Sequence, residues 1–485
     1  MASRSSHVTM NDYERLRLEN IAKNQALLKE LQLEPNAAKN APQKLKPRPR
    51  PRPRPRLQVK QEIRIQPRRT SSRLAGMEAD SEVARKKGEE EAAQRVEVER
   101  AKRARVAGDL NLSDIVVGDV TWKSEDMLAD MPRGDGVGVL SENADLRDEM
   151  SALKLHEAFE PNDVKITPDR IVHLAFHPNP ATKMIFSGDK MGNMGIWEAD
   201  KEGEDPVIHV FKVHSRTISG FSFNSLAPHA DKVLTSSYDG SARSLDLHSN
   251  KSTEIYVPST DVDLPLLSHI EVVDDSRIYL STLHGDFIQK DLRTPLGQAD
   301  VHTLHDKKIG GFSARPHASH FVATASLDRT MKVWDLRKLS KKEPSPVGEF
   351  QSALSVSSVG WSESGSLLTT GYDDSIRIFN LPDVHKDGKD LGSLRPDVSV
   401  THNNQTGRWL TVFRAQWHQR PADGAQKFVV GNMNRAIDVY DSAGKRLAQL
   451  RDSDRITAVP AVCRFHPTMN WIVAGTASGK IALYY

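Results

Sequence analysis

One short pattern constrains this chain more than any other feature. Ala323-Thr324-Ala325-Ser326-Leu327-Asp328-Arg329-Thr330-Met331-Lys332-Val333-Trp334-Asp335-Leu336-Arg337 reads as a strand, a tight aspartate-bearing turn, and a second strand closed by Trp-Asp. Weaker copies recur on either side at intervals close to a repeat of roughly 40–45 residues. Upstream lie Ser236–Leu247 and Leu283–Arg293, and downstream Gly371–Asn380 and Gly431–Asp441. The outermost copies are Ser187–Glu198 and Gly475–Tyr484, which brings the count to seven. Only one copy carries a full Trp-Asp, so the even spacing makes the case rather than any single match.

A lone copy is a small sheet with two open edges and two apolar faces, and it cannot bury enough surface by itself. Stacking the copies radially covers those faces and leaves only short edges. The expected fold is therefore all-β, a seven-bladed WD-repeat β-propeller over residues 156–485, with a largely disordered or helical N-terminal extension. At 485 residues the chain exceeds one ordinary core, and a propeller of roughly 320 residues plus extensions fits. The last copy stops at Tyr485, so the seventh blade lacks its outer strand. Residues from Phe159 to Ile166 are placed to supply that strand and latch the ring.

The extension divides by composition. Residues 1–34 hold a capping box, Asn11-Asp12-Tyr13-Glu14, followed by an amphipathic pattern with Leu16, Ile21, Leu27, Leu28 and Leu31 near one face. This predicts a helix that stops at Pro35 and either packs on the ring or binds a partner. Residues 35–77 form a basic arm in which Pro-Arg repeats five times from Pro47 to Arg56. Proline at every second position forbids helix and favours an extended polyproline conformation. Arg48, Arg50, Arg52, Arg54 and Arg56 are thus candidates to lie along nucleic-acid phosphates. A solvated linker or an import signal reads equally from the same residues. Arg68-Arg69-Thr70-Ser71-Ser72-Arg73 adds hydroxyls that phosphorylation would turn negative. Residues 78–107 read as a solvated charged helix, and 108–155 as a linker partly packed on the ring.

Little in the chain suggests catalysis. The single cysteine, Cys463, excludes a disulfide framework, suits a reducing compartment and reads as a small buried apolar residue. No apolar run approaches the ~18 residues of a membrane helix, and the polar N-terminus is no secretory signal. A soluble intracellular monomer is expected. Eighteen histidines invite a search for metal or catalytic clusters. His214 and His305, however, precede strands where such repeats use histidine to hydrogen-bond within the blade. His177-Pro178 and His466-Pro467 sit at turns. Asp239, Asp328 and Asp373 fit the tight turn between inner strands. No P-loop, paired cysteines, His-Glu-x-x-His or Gly-x-Ser-x-Gly is present. No enzyme activity, metal or cofactor is expected.

Basic residues on one rim are more informative. Loops entering each blade and turns joining its second and third strands emerge on the same side. That side carries Lys190, His214, Arg216, Lys307, Lys308, Arg329, Arg408, Arg435, Arg455 and Lys480, a plausible phosphate-binding crown. Ordinary surface charge is the competing reading. The longest interval between copies contains Val384–Lys389 and Thr401–Trp409, and insertions in repeat proteins usually form loops on a functional face.

Several stretches together resemble one family. They are Tyr13–Ile21, Asn24-Gln25-Ala26-Leu27-Leu28, Arg68–Leu74, Lys308-Ile309-Gly310-Gly311-Phe312, Ser326–Thr330 and His402–Thr411. The chain resembles the fungal "changed mutation rate" WD-repeat DNA damage-binding proteins, relatives of the small damage-recognition subunit of nucleotide excision repair. The resemblance implies a nuclear, non-catalytic protein that binds duplex DNA, prefers ultraviolet-damaged duplex, and accepts single strands as a further candidate substrate. The segment Gly407–Trp417 is similar to that subunit's hairpin region, which makes Trp409 a candidate wedge beside Arg408. The same segment also reads as an apolar strand in which Trp409 anchors the blade. Asp291-Leu292-Arg293 and Asp335-Leu336-Arg337 are similar to the box by which substrate receptors dock on the adaptor of cullin-4 ubiquitin ligases, with Arg293 and Arg337 as contacts. A substrate receptor, or a chromatin scaffold without direct DNA affinity, are the alternative functions.

Overall fold

The computed structural model describes residues 105–118, 145–201, 203–224, 230–258, 266–382, 384 and 390–485. The expected helix of residues 1–34, the basic arm with Arg48, Arg50, Arg52, Arg54 and Arg56, and nearly all of the charged helix lie outside the described residues. The rest is a ring of seven blades, antiparallel except where Gly392–Ser393 adds a parallel edge beside Gly348–Gln351 in blade 4. Their innermost strands, from blade 1 to blade 7, are Ile171–Phe176, Ile218–Phe223, Leu267–Asp274, Ile309–Ala314, Val356–Trp361, Gln416–Trp417 and Val462–Phe465. Each blade then steps outward through hairpin-connected strands in chain order.

Burial follows from radial stacking. Second strands such as Met184–Asp189 and Phe321–Ser326 are buried at every position, because both faces meet a neighbouring blade. The outer strand Asp300–Thr303 buries only His302. Small and β-branched residues dominate the inner strands, as a sheet packed on both sides requires. In blades 1 to 5 the register between first and second strands shifts at the start of the inner strand. Such bulges bend a strand and re-aim its side chains.

Blades 7 and 1 share one core, in which Val473, Ile481 and Leu483 pack with Ile171, Leu174, Phe176 and Trp197. The outer edge of Ile481–Tyr484 is paired by two short pieces rather than one strand. Lys154 and Tyr485 exchange backbone hydrogen bonds, His156 N–H donates to Leu483, Ile481 N–H donates to Val164, and Thr167 N–H donates to Gly479. The latch thus spans Lys154–Thr167, with residues 157–163 looping out and Phe159 returning to the core. Just before it, helix Leu146–Ala152 is capped by Asp145, whose carboxylate accepts from Arg147 N–H, and buries Met150 against blades 6 and 7. A separate strap, Leu110–Asn111, adds a fifth strand to blade 2 beside Lys251–Tyr256. The buried Arg243 guanidinium holds it by donating to the carbonyls of Val106 and Gly108.

Histidine-centred hydrogen bonds stiffen two blades, as a tetrad in one and a triad in the other. His305 bridges Asp328 (2.7 Å) and Thr324 (2.7 Å), and Trp334 Nε1 donates to the same Thr324 hydroxyl. His214 bridges Asp239 (3.0 Å) and Thr235 (2.8 Å) in the same way. Burial alone would raise the Asp239 carboxyl, but the His214 ring and Ser241 hold it well below the usual carboxylate range. Those aspartates also accept turn amides, Thr330 N–H at Asp328 and Ser241 N–H at Asp239.

Candidate nucleic-acid interface

Backbone bonds tie the turn between second and third strands to the loop entering the same blade. Lys190 N–H donates to Arg170, Tyr238 N–H to Thr217, Leu327 N–H to Lys308, and Tyr372 N–H to Ser355. Turns and entry loops therefore form one continuous rim, and the predicted basic residues sit on it.

The rim residues differ in how free they are. Lys190, Lys307, Arg329, Arg408 and Arg435 are exposed. Arg216 and Lys308 are half-buried and converge on one tyrosine: Arg216 donates to the Tyr238 carbonyl (3.1 Å), and Lys308 donates to its hydroxyl (3.0 Å). Lys307 and Arg329 line one open depression with Leu354 and Tyr372. Arg455 is bound to Glu160 (2.9 Å) and to the His156 carbonyl, and Lys480 reaches Asn162 (3.3 Å). Both of these cations are engaged by the latch. His214 is buried in its triad.

Two arginines occupy backbone that a glycine would favour. At equivalent turn positions, φ is +91° at Gly192, +85° at Gly240, +96° at Gly285 and +82° at Gly479, but also +78° at Arg329 and +60° at Arg435. At Gly285 a Cβ would lie 1.9 Å from the His305 carbonyl oxygen, so only glycine fits there. At Arg329 and Arg435 a side chain is accommodated and points outward, at the strain that left-handed backbone imposes on an L-residue.

The loop between blades 5 and 6 is the largest feature of the rim. Asn404 N–H and the Gln405 side chain bind Asp374, and the Asn404 and Gln405 amides donate to the carbonyls of Gly371 and Tyr372. At its far end Thr411 donates to the Ile171 carbonyl, and Arg170 donates to the Arg408 (3.2 Å) and Leu410 carbonyls. The loop is thus fastened to blade 5 and, across blade 7, to blade 1. Trp409 sits at its tip, 79% exposed, with the Arg408 guanidinium 5.7 Å from its ring centre. The alternative in which Trp409 starts a buried strand does not hold, because the inner strand begins only at Gln416. Arg170 was not singled out from sequence; its role depends on residues more than two hundred positions away.

The channel down the axis carries further charge. Arg414 and Arg464 project into it from blades 6 and 7, beside His269 and Glu271 of blade 3. Burial, then Arg414 and Arg464, push His269 down to about 3. Burial pushes Glu271 up to about 8, against the pull of the Ala314 amide and Arg464. Neither arginine was picked out by sequence reading, although each interrupts an apolar run, Val412-Phe413-Arg414-Ala415 and Val462-Cys463-Arg464-Phe465.

On the opposite face, two adjacent blades end in the same geometry. Arg293 grips Asp291 through Nε (2.9 Å) and Nη2 (2.6 Å), and Arg337 grips Asp335 through Nε (2.9 Å) and Nη2 (2.8 Å). Both guanidiniums remain largely exposed.

Comparison with known proteins gives two kinds of match. The family described as WD domain, G-beta repeat matches residues 300–335 and 344–380. A Phaeosphaeria nodorum protein named DNA damage-binding protein CMR1 is 46% identical over 524 residues, covering 99% of this chain and 100% of that relative. A Neurospora crassa protein of the same name is 45% identical and covers 100% of both. The Aspergillus oryzae counterpart is 43% identical, covering 98% of this chain and 99% of its own.

Proposed function

Because this chain belongs to the family of the DNA damage-binding protein CMR1, we propose that it is a non-catalytic nuclear protein that binds duplex DNA through the basic rim and prefers ultraviolet-damaged duplex. The observation that carries this reading is the tethered loop that presents Trp409 beside Arg408. A wedge needs a flat apolar group, an adjacent cation for the phosphate, and a rigid mount. Arg329, Arg435, Lys190 and Lys307 supply backbone contacts around it, and these position the duplex without reading its sequence. Damage preference arises because a lesion has already weakened the stacking that the wedge must break. The basic arm adds contacts indifferent to the lesion, since its charges answer only to phosphate.

The test is a titration of the full chain against intact and irradiated duplex at several salt concentrations. The expected result is a log affinity that falls linearly with log salt for both, with the irradiated duplex bound more tightly at each salt. Equal affinities would remove the damage preference, and salt-independent binding would remove the phosphate contacts.

A second activity is compatible with the first. The paired Asp-x-Arg geometry on the opposite face favours docking of a cullin-4 ligase adaptor through Arg293 and Arg337. Arg293→Ala with Arg337→Ala should then abolish co-purification of that adaptor while leaving DNA affinity unchanged. A scaffold without DNA affinity is the outcome if the titration shows no binding.

A further inference from the structure

The axial channel holds two guanidiniums and too little negative charge. Arg464 is fixed in place, with Nη1 donating to Gln416 Oε1 and Nη2 meeting His173 Nε2 at 2.9 Å. Both acceptors are neutral, because burial and then Arg464 keep His173 well below its ordinary range. Arg414 forms no hydrogen bond or ion pair with any described residue, and its Nε is buried without an acceptor. Burial lowers Arg414, and the phenols of Tyr238 and Tyr372 oppose that, with no carboxylate contributing. Burial lowers Arg464 to about 10, which leaves it charged at neutral pH. Glu271, pushed up to about 8, carries a proton there. Among the described residues the channel therefore presents two cations without a counter-charge.

Beside them lies a cavity of about 120 Å³ lined by Arg414, Arg464, Gln416, Ser358, His269 and the carboxyl of Glu271. That is far more than the roughly 10–15 Å³ that a single water requires. The walls offer unused polar atoms: Arg414 Nε, His269 Nδ1 and Ser358 Oγ are all buried without partners. A half-buried guanidinium whose Nε is shut off from water and unpaired is costly to fold around unless something answers its charge.

We propose that the channel binds a compact dianionic oxyanion of the phosphate class between Arg414 and Arg464. A dianion balances both cations, whereas a single carboxylate balances one. Guanidinium forks match the geometry of phosphate oxygens, and such charge-assisted bonds are the strong ones. The proposal does not depend on how the rim is used. Free inorganic phosphate and a phosphomonoester share this chemistry, and two probes separate them.

The experiment measures thermal stability of the full chain against increasing inorganic phosphate, and separately against O-phosphoserine, with chloride adjusted to constant ionic strength. The expected result is a melting temperature that rises and saturates with phosphate. Saturation by phosphate alone assigns the site to the free ion, and saturation by both assigns it to a monoester group. Arg414→Gln should weaken the apparent affinity by about tenfold or more, the scale of a lost charge-assisted bond. In chloride the same variant should melt no lower than the unmutated protein, because it removes an unanswered charge. Arg329→Gly, on the rim, should keep the full phosphate response, which separates this site from the DNA reading. Saturable broadening of the phosphate ³¹P resonance by the unmutated protein gives a readout independent of any variant. Absence of that broadening, or an Arg414→Gln response equal to the original, would overturn the proposal.

Discussion

Arg329 and Arg435 offer a perturbation in which stability and binding should move in opposite directions. Both sit at positive φ, +78° and +60°, where four other blades use glycine. Left-handed backbone costs an L-residue roughly 1–2 kcal/mol, and glycine gives back about 0.5–1 kcal/mol through its greater freedom when unfolded. Arg329→Gly with Arg435→Gly should therefore leave stability unchanged or raise it, by about 1.5 kcal/mol per site at most. On DNA the pair should remove the two phosphate contacts proposed for these side chains. Each contact contributes about 0.9 to the slope of log affinity against log salt, so the slope should flatten by roughly 1.8. The loss should be the same for intact and irradiated duplex, since phosphate contacts carry no information about the lesion. Fluorescence anisotropy with labelled duplexes at four or more salt concentrations reads the slope, and thermal denaturation reads the stability. A double variant that melts lower and keeps the original slope would show that the arginines serve the turns and not the phosphate, and would refute the reasoning.

Trp409→Ala should cost roughly 1–3 kcal/mol of affinity, the scale of one base–aromatic stack, on irradiated duplex chiefly. Its melting temperature should barely move, because Trp409 is 79% exposed; a sharp fall in melting temperature with an unchanged damaged-to-intact ratio would sink the wedge. Deleting residues 35–73 should weaken binding to intact and irradiated duplex alike and flatten the salt slope; an unchanged slope would show that the arm does not touch phosphate. Glu271 has its folded pKa raised to about 8 by burial, so the stability it contributes is present below the unfolded value near 4.5 and is lost as pH rises through 8. Glu271→Gln should accordingly melt higher than the unmutated protein at pH 9 and converge with it near pH 4.5; a gap that does not vary with pH would show that Glu271 does not titrate in this window.

The ring was legible because it is written locally. Each blade repeats within a stretch short enough for strand, turn and strand to be read together, and Asp328 or Asp239 announces the turn before any tertiary contact is known. The bonds that His305 and His214 make to the turn aspartates follow from the same spacing. The latch was only partly legible. Sequence places it at Phe159–Ile166, whereas the pairing backbone is Lys154–His156 and Val164–Thr167. Phe159 looks like a strand residue because it is apolar, but it enters the core shared by blades 7 and 1. The excursion around it then supplies Glu160 and Asn162, which occupy Arg455 and Lys480. Counting cations on predicted loops cannot see such partners, so the crown read from sequence includes Arg455 and Lys480, held by the latch, Arg216 and Lys308, bonded to Tyr238, and His214, buried on Asp239 and Thr235.

What sequence could not supply is the mount for Trp409. Arg170 reaches the carbonyls of Arg408 and Leu410, and Thr411 reaches Ile171, so the last blade but one is fastened to the first. Closure of the ring creates this contact, and no local pattern encodes it. Its consequence is energetic. A loop held at both ends has already lost the freedom it would otherwise lose on binding, so little ordering cost falls on the protein when its tip enters a duplex. For the proposed wedge, the discrimination then rests on the DNA, where unstacking is cheap at a lesion and costly elsewhere. A tryptophan on a slack loop would also find lesions, but the ordering penalty would be charged equally to damaged and intact duplex and would weaken both. On the proposed wedge reading the tethers therefore set the affinity, and the stacking energy of the duplex sets the preference.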